Sequence, residues 1–268
     1  MRLKFEGQTC VQVLGSGSKG NAILIGSDQE YLLVDAGLSG KELIRRLDTA
    51  GVDVKQLAGV ILTHEHQDHV RGLKGLIRVE NVPVWGNEQT LQHLQSSDSH
   101  SVAWNVFGTG TSFGVGSAKV ESFPVPHDAY DPCGFIVNIC GVSVGILTDL
   151  GYCTDVIQRA AARCHILVLE ANYDVELLSS DTKRPWATKQ RIAARHGHLS
   201  NTQASELIAS LKNLNSPLRH IFMSHMSEDC NDPEIAKSEL RQGLVKAGLP
   251  DVRIHQTYQG KVSDCVIL

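Results

Sequence analysis

The sequence lacks any C-x-x-C pair and any dense cysteine framework. Its seven cysteines are scattered along 268 residues, so we expect the reduced thiols of a cytosolic protein rather than a disulfide scaffold. No run approaches the roughly 18 apolar residues that a transmembrane helix needs. The first residues also lack the apolar core of a signal peptide. We therefore expect a cytoplasmic protein with no membrane partner.

Strong positive charge is absent as well. The formal net charge is −4, which argues against a generally basic protein that coats nucleic acid but is compatible with a local phosphate-binding face. Residues 15–21 are rich in glycine and serine, yet they lack the phosphate-loop spacing G-x-x-x-x-G-K-[ST]. This loop is therefore either a simple tight turn or part of the lining of an active site.

The chain repeats one order of elements without an internal linker or low-complexity tract. A β-rich block at residues 10–36 is followed by helices, and a second β-rich block at residues 102–148 is followed by more helices. This order predicts a single α/β domain over residues 1–268, with two sheets packed face to face and helices outside. We further expect one helix from Asp68 through Ile77, a closing strand pair near residues 252–254 and 261–262, and solvated side chains at His93 and His100.

Residues 63–69, T-H-E-H-Q-D-H, concentrate three imidazoles and one carboxylate directly after an apolar run. His64 and His66 are two residues apart in an extended loop and can turn towards one cation. Asp68 and His69 can reach a second cation beside it. Two cations about 3.5–4 Å apart suit the activation of water and the stabilisation of both oxygens of a displacement. A His-rich surface turn is the simpler interpretation, but clustered His and Asp favour metal ligation.

A two-metal site needs more ligands than this motif supplies. Three further residues fit at predicted strand ends or loops: His127 after a Pro-Val-Pro stretch, Asp149 and His225. Each could have a purely structural role, but their placement together with the motif favours ligation. One more imidazole for each cation and a carboxylate between them would complete both sites. Mixed nitrogen and oxygen coordination by two divalent metal ions suits zinc, and also manganese or iron.

These motifs, in this order and over nearly the whole chain, resemble the metal-binding motifs of the metallo-β-lactamase superfamily. The resemblance implies an αββα four-layer sandwich with the site along one edge of the packed sheets. It implies two ligand sets and one bridging residue: His64, His66 and His127; Asp68, His69 and His225; and Asp149 between them. It also implies that Asp35, in L-V-D-A-G at residues 33–37, supports the ligands through hydrogen bonds.

A second resemblance concerns the substrate. The segment R-H-G-H-L-S-N at residues 195–201 is similar to one in the ribonuclease Z and cyclic-phosphodiesterase branches, where a histidine faces the scissile phosphate. By that resemblance His198 assists the leaving oxygen; the alternative is a histidine bonded to backbone beside a helix start. Residues 14–21, 169–175 and 197–201 also resemble the YycJ/WalJ group, which is linked to 5′-to-3′ DNA exonuclease activity. We therefore expect dinuclear phosphodiester hydrolysis, in which Asp68 helps to orient the attacking water.

Residues 183–195 independently indicate a nucleic-acid contact. The segment has five cations, one tryptophan and no acidic residue; the six residues are Lys183, Arg184, Trp186, Lys189, Arg191 and Arg195. Positive charges beside an aromatic ring can follow a strand backbone and stack a base. A solvated helix face is the alternative. If the segment binds DNA, charge reversal at Lys183, Arg184 and Lys189 together should weaken single-strand binding in a salt-dependent way.

Other functions stay open at this point. A small-molecule phosphodiesterase that acts on a cyclic ribose phosphate would use the same residues as a nuclease on DNA that is single-stranded or has a free end. The segment around His198 argues against a thioesterase of the glyoxalase II kind. The complete ligand set argues against a regulatory metal-binding protein without catalysis. The sequence makes no prediction of the oligomeric state.

Overall fold

Two seven-stranded β-sheets lie at the centre of the protein in a computed structural model that describes residues 7–27, 30–95 and 103–268. The strands of the first sheet are β1 (Cys10–Gly15), β2 (Ala22–Ser27), β3 (Glu30–Val34), β4 (Leu57–Ile61), β5 (Val84–Asn87), β6 (Trp104–Phe107) and β14 (Val266–Ile267). Those of the second sheet are β7 (Ser112–Val115), β8 (Ala118–Pro124), β9 (Cys133–Ile139), β10 (Val142–Leu147), β11 (Ile166–Glu170), β12 (His220–Ser224) and β13 (Arg253–Gln256).

Both sheets are antiparallel in one half and parallel in the other. The first has the order β14-β1-β2-β3-β4-β5-β6, with antiparallel pairs from β14 to β3 and parallel pairs from β3 to β6. The second has the order β13-β12-β11-β10-β9-β8-β7, parallel from β13 to β10 and antiparallel from β10 to β7. This confirms the expected pair of similar layers.

Helices cover the outer faces of the two sheets. In the described part of the chain they are α1 (Gly40–Thr49), α2 (Gln67–Val70), α3 (Leu73–Val79), α4 (Glu88–Gln95), α5 (Asp155–Ala162), α6 (Val175–Ser180), α7 (Trp186–Ile192), α8 (Asn201–Ala209) and α9 (Pro233–Ala247), with a 3-10 turn at Val54–Gln56. No helix in the described ranges is long and apolar enough to cross a membrane.

The alternation of side chains along the strands builds three apolar layers. In β11, Ile166 and Val168 pack in the core between the sheets, whereas Leu167 and Leu169 face α5, α8 and α9. Strand β2 divides its side chains in the same way between the central core and the layer beneath α1, α3 and α4. Successive strand residues point to opposite faces, so apolar strands buried on both sides give an αββα sandwich, as predicted.

Two local expectations were wrong. The predicted helix from Asp68 through Ile77 is divided into α2 and α3, because Gly72 N–H donates to Ala36 O at 2.7 Å instead of continuing the helix. A Cβ at Gly72 would lie 2.2 Å from Leu38 O, so a side chain there would prevent this approach.

The predicted closing strand pair is also wrong. Strand β13 pairs with β12 in the second sheet, and β14, at Val266–Ile267 rather than residues 261–262, pairs with β1 in the first. The first strand of the predicted β-rich block at residues 102–148 begins at Trp104 among the described residues. Residue Val102 and His100, which was expected to be solvated, lie outside the described ranges, whereas His93 is exposed as expected.

Candidate metal centre

Three of the candidate residues stand where strands end and the chain turns. Asp35 follows β3, Asp149 lies just after β10 and His225 follows β12; their φ angles are 60°, 58° and 53°. Residues other than glycine rarely adopt this left-handed conformation, and each instance costs on the order of 1 kcal/mol or more. The fold maintains three such turns at one edge of the sheets, a pattern typical of functional sites.

The first group of imidazoles contains His64, His66 and His127. Each offers a ring nitrogen, and these nitrogens all lie within 4.8 Å of one another. Burial, and then the neighbouring His69, hold the pKa of His64 well below its usual value, so its imidazole is neutral and able to ligate. The Nδ1 of His127 lies 3.0 Å from Gly197 O, which leaves its Nε2 towards the group. The three side chains can therefore hold one cation.

The second group contains Asp68, His69 and His225, again with ligand atoms within 4.8 Å of one another. The Asp68 Oδ2 atom lies 3.5 Å from Nε2 of both histidines. Burial raises the pKa of Asp68, but its contacts with His225 and His69 outweigh burial and lower that pKa. Asp68 is thus an anion, and this group can hold a second cation.

Asp149 lies between the two groups. Its Oδ2 is 3.2 Å from His69 Nε2, its Oδ1 is 3.8 Å from His127 Nε2, and it also forms a possible ligand group with His64 and His69. Burial lowers the pKa of His69 and His225, but the surrounding carboxylates, of which Asp149 has the largest effect, together outweigh burial and hold both pKa values well above the usual range. The negative field that attracts protons to these imidazoles would equally attract a cation.

Asp35 contacts His69 at Nδ1, the ring nitrogen that faces away from the centre. Its Oδ2 lies 2.8 Å from His69 Nδ1, while its Oδ1 accepts from the Thr63 N–H at 2.9 Å. The Thr63 hydroxyl also contacts the carboxylate. All three residues are buried. A hydrogen bond to Nδ1 fixes the tautomer and ring orientation of a histidine, so that Nε2 is presented to the centre.

Glu170 is the residue that sequence reasoning missed. Its fully buried Oε1 lies 2.9 Å from Nδ1 of both His198 and His225, and its Oε2 accepts from the Leu150 N–H at 2.8 Å. Burial raises the pKa of Glu170, but the charge of His198 and the hydrogen bonds from His198 and His225 together outweigh burial and lower that pKa. A signal was present, because Glu170 is the one charged residue of the strand I-L-V-L-E and stands at its end, as Asp149 follows β10.

The glycine-rich loop lines the site. Ser16 Oγ accepts from the His225 N–H at 2.7 Å, and Asn21 Nδ2 lies 3.2 Å from His69 Nε2. Gly37 permits this packing, because a Cβ there would lie 1.5 Å from Asp68 O and 2.7 Å from the backbone nitrogen of Asn21. Of the two interpretations of residues 15–21, lining of the site is therefore the one that the geometry supports.

The His198 ring lies between the two groups of candidate ligands. Its ring centroid is 5.2 Å from that of His127 and 5.0 Å from that of His225, and its side chain is 22% exposed. The alternative was a backbone hydrogen bond beside the helix start, but its Nδ1 contacts Glu170 instead. Ser200 caps α8 in its place.

A cavity of about 180 Å³ opens above the centre. Both candidate metal groups and His198 reach it. Its walls are formed by Ser18, His66, Asp68, His127, Asp128, Asp149, Thr188, Arg191, Ile192, His196, Gly197, His198 and His225. The cavity is therefore the place where a reacting group would meet these side chains.

Most cations of the basic segment, residues 183–195, already have partners within the protein. Lys183 and Arg184 both pair with Asp229, and Arg184 also pairs with Asp181 at 3.1 Å. Lys189 Nζ donates to a backbone carbonyl, and the Arg195 guanidinium lies 4.5 Å from the Tyr152 ring centroid.

Two members of the segment remain distinctive. Trp186 is 68% exposed, but its side chain is not part of the cavity wall. Arg191 is the member of the six that lines the cavity. The structure thus brings one of the predicted nucleic-acid contacts to the centre and places the others on the surrounding surface.

Comparison with known proteins gives consistent matches. A model of the β-lactamase superfamily domain matches residues 30–226. Exodeoxyribonuclease YycJ of Bacillus anthracis is 35% identical over 239 residues, covering 88% of this chain and 89% of the relative. Exodeoxyribonuclease WalJ of Streptococcus pneumoniae is 33% identical over 252 residues, covering 91% and 93%. The metallo-β-lactamase fold protein YhfI of Bacillus subtilis has a similar structure, with a TM-score of 0.72 over 95% of this chain and 98% of its own at 16% identity.

Proposed function

The chain belongs to the metallo-β-lactamase superfamily and, within it, to the YycJ/WalJ family, and we propose that it is itself a metal-dependent DNA exonuclease. The observation that carries this proposal is similarity to two exodeoxyribonucleases over about nine-tenths of each chain. The proposed substrate is DNA that is single-stranded or has a free end, degraded from 5′ to 3′. Residues 1–268 are proposed to act as one hydrolase domain, because both sheets share a core and both contribute to the centre.

The donor atoms fit two divalent cations. Nε2 of His64, Nε2 of His225 and Oδ2 of Asp149 are buried and make no hydrogen bond of acceptable geometry, which is costly unless something else binds them. We propose that one ion is held by His64, His66 and His127, the other by Asp68, His69 and His225, and that Asp149 contributes to both. Imidazole and carboxylate donors suit zinc first, and also manganese or iron. When bound, such ions make water more acidic and offset the charge that develops on a phosphate.

The remaining groups orient the reaction. Asp35 and Glu170 accept hydrogen bonds from the Nδ1 atoms of His69 and His225, so that each Nε2 faces inward. Asp68 lines the cavity as an anion and is proposed to orient the attacking water. Because Glu170 occupies His198 Nδ1, the proton for the leaving oxygen would come from His198 Nε2.

The size of the cavity favours a polymer over a small molecule. Pockets that enclose a small ligand usually have volumes of roughly 300–1,000 Å³, whereas this cavity has about 180 Å³. It can take a phosphate and its immediate neighbours, while the rest of the substrate lies outside. This favours a nucleic-acid strand over a cyclic ribose phosphate that would have to be enclosed.

The thiol chemistry supports a cytoplasmic location. All seven cysteines are free, and four of them are buried. Burial raises the pKa of Cys153 to about 12 and that of Cys164 to about 12. Reduced thiols are typical of proteins in a reducing compartment, so we propose that the protein acts in the cytoplasm.

A substrate panel tests the proposed function. The metal-loaded protein would be assayed with single-stranded DNA, duplex DNA with a free end, RNA, a 2′,3′-cyclic nucleotide and a glutathione thioester. We expect release of nucleotides from DNA, lost in Asp149→Ala and His64→Ala, with a fluorescent label showing which end is degraded first. Turnover of the cyclic nucleotide or thioester without DNA degradation would replace the proposal with one of those activities.

A further inference from the structure

One group in the cavity wall has no part in the reaction described so far. The Arg191 guanidinium lines the same cavity as the candidate ligands, and its Nε and Nη2 lie 3.1 and 3.0 Å from Asp128 Oδ2. Asp128 directly follows His127. The ion pair therefore places a permanent positive charge next to the metal centre and on the solvent side of it.

The position of Arg191 on its helix explains why it alone of the basic segment reaches the cavity. Thr188, Arg191 and Ile192 are three and four residues apart on α7, so they share one side of the helix, and all three line the cavity. Ser18, from the glycine-rich loop, lines it from another direction. One arginine and two hydroxyl-bearing residues thus line one opening.

The ion pair leaves Arg191 able to bind another anion. Its side chain is 69% exposed and that of Asp128 is 60% exposed, and pairs this exposed are weak enough to exchange. Arginine carries five N–H donors, and the contact with Asp128 uses Nε and Nη2, so that Nη1 stays available. A planar guanidinium of this kind is well suited to phosphate oxygens.

We propose that Arg191, with the hydroxyls of Ser18 and Thr188, forms a subsite for a second phosphate of the DNA strand, next to the phosphodiester that is cleaved. The proposal rests on the proposed nuclease function and specifies its substrate. A strand with two successive phosphates fills both the metal centre and the subsite, whereas an isolated phosphodiester fills only the centre. Asp128 opposes the incoming anion and limits binding at the subsite.

The test compares a substrate that has a single phosphate with oligonucleotides that have several. The metal-loaded protein is assayed with bis(p-nitrophenyl) phosphate, a 5′-hydroxyl oligonucleotide and a 5′-phosphorylated oligonucleotide. Arg191→Ala should raise KM for an oligonucleotide on the order of tenfold more than for bis(p-nitrophenyl) phosphate. The slope of log KM against log salt should fall by about 0.7, as expected when one phosphate contact on a single strand is lost.

Two further variants complete the design. Arg163→Ala removes a surface arginine that pairs with Glu121 at 3.0 Å, away from the cavity, and should leave all three activities unchanged. Asp128→Asn should lower KM for the oligonucleotides, because it frees the guanidinium and removes a repulsive charge. A gain of this kind cannot come from misfolding.

The outcomes distinguish a terminal phosphate from an internal one, and they distinguish failure of the subsite from failure of the nuclease function. A loss confined to the 5′-phosphorylated oligonucleotide would assign the subsite to the terminal phosphate, and a loss on both oligonucleotides would assign it to an internal one. Wild-type degradation of oligonucleotides with no selective effect of Arg191→Ala or Asp128→Asn would overturn the subsite alone. Hydrolysis of bis(p-nitrophenyl) phosphate without degradation of any oligonucleotide would overturn the nuclease function, and the subsite with it.

Discussion

The Glu170 carboxylate lies 2.9 Å from Nδ1 of His198, and the same oxygen lies 2.9 Å from Nδ1 of His225. One buried anion therefore orients both a candidate metal ligand and the candidate proton donor. The two roles are joined by a residue that itself has no access to the cavity.

Replacement of Glu170 should impair both roles. In Glu170→Gln the amide can accept through only one atom, and its NH2 group would face a donor, either Leu150 N–H or an imidazole N–H. We expect kcat on DNA to fall about 10–100-fold, together with weaker metal binding. Glu206→Gln, an exposed change on α8, is the control. Equal activity in the two variants would show that Glu170 does not position the histidines.

The role of His198 can be tested through the leaving group. His198→Ala should lower kcat on DNA about 10²–10⁴-fold, because an alkoxide needs a proton as it departs. The nitrophenolate of bis(p-nitrophenyl) phosphate departs readily without one, so the loss on that substrate should be much smaller. Steady-state kinetics on both substrates make the comparison. Equal losses would assign His198 to binding or structure instead of proton transfer.

The contact between Asp35 and His69 predicts a change in metal affinity. Asp35→Asn removes the charge that faces His69 Nδ1 at 2.8 Å, and changes of this type lower metal affinity about 10–100-fold. Competition with a chelator of known affinity measures the effect. The matched control is Asp53→Asn, which alters an exposed carboxylate that caps the 3-10 turn. If both variants retain metal as the wild type does, Asp35 has no supporting role.

Acid stability should depend on Glu42, which holds the buried Arg46 against Leu14 O beside the glycine-rich loop. Hydrogen bonds from Arg45 and Arg46 lower the pKa of Glu42 to about 2. The folded pKa lies below the unfolded value of about 4.3, so this stabilisation is present above about pH 4.3 and is lost as the pH falls towards about 2. Glu42→Gln should lower the free energy of unfolding by about 1 kcal/mol at pH 7 after screening by solvent.

Urea denaturation at pH 7, 4 and 3 tests whether the stabilisation by Glu42 is lost as the pH falls. The difference between wild type and Glu42→Gln should shrink over that series. Glu176→Gln, an exposed change in the first turn of α6, is the control. A difference that stays constant down to pH 3 would contradict the lowered pKa.

The fold and the candidate ligands were accessible from the sequence because their signals are local. Apolar strands that end in a polar residue mark one edge of a sheet, and Asp149 and His225 follow that rule. The dense spacing of residues 63–69 added a second signal. Glu170 follows the same rule, but it has no histidine beside it in the sequence. Only the folded chain brings the imidazoles of His198 and His225 into contact with its carboxylate.

The remaining features depend on contacts between distant parts of the chain. The break between α2 and α3 follows from the hydrogen bond of Gly72 to Ala36 O. The periodicity of apolar residues along the helix does not reveal this contact. The pairing of Arg191 with Asp128 joins residues 63 positions apart. For this reason the sequence predicted six equivalent nucleic-acid contacts in the basic segment, although in the folded chain only Arg191 of these six lines the cavity.

Metal counting joined to activity tests the central claim most directly. The metal-free protein would be titrated with zinc or manganese, with bound metal per chain and DNA degradation measured at each step. We predict saturation at two ions per chain, with full activity reached only after the second ion binds, and loss of that second step in Asp149→Ala. Full DNA degradation by the metal-free protein, or saturation and full activity at one ion per chain, would contradict the two-metal account.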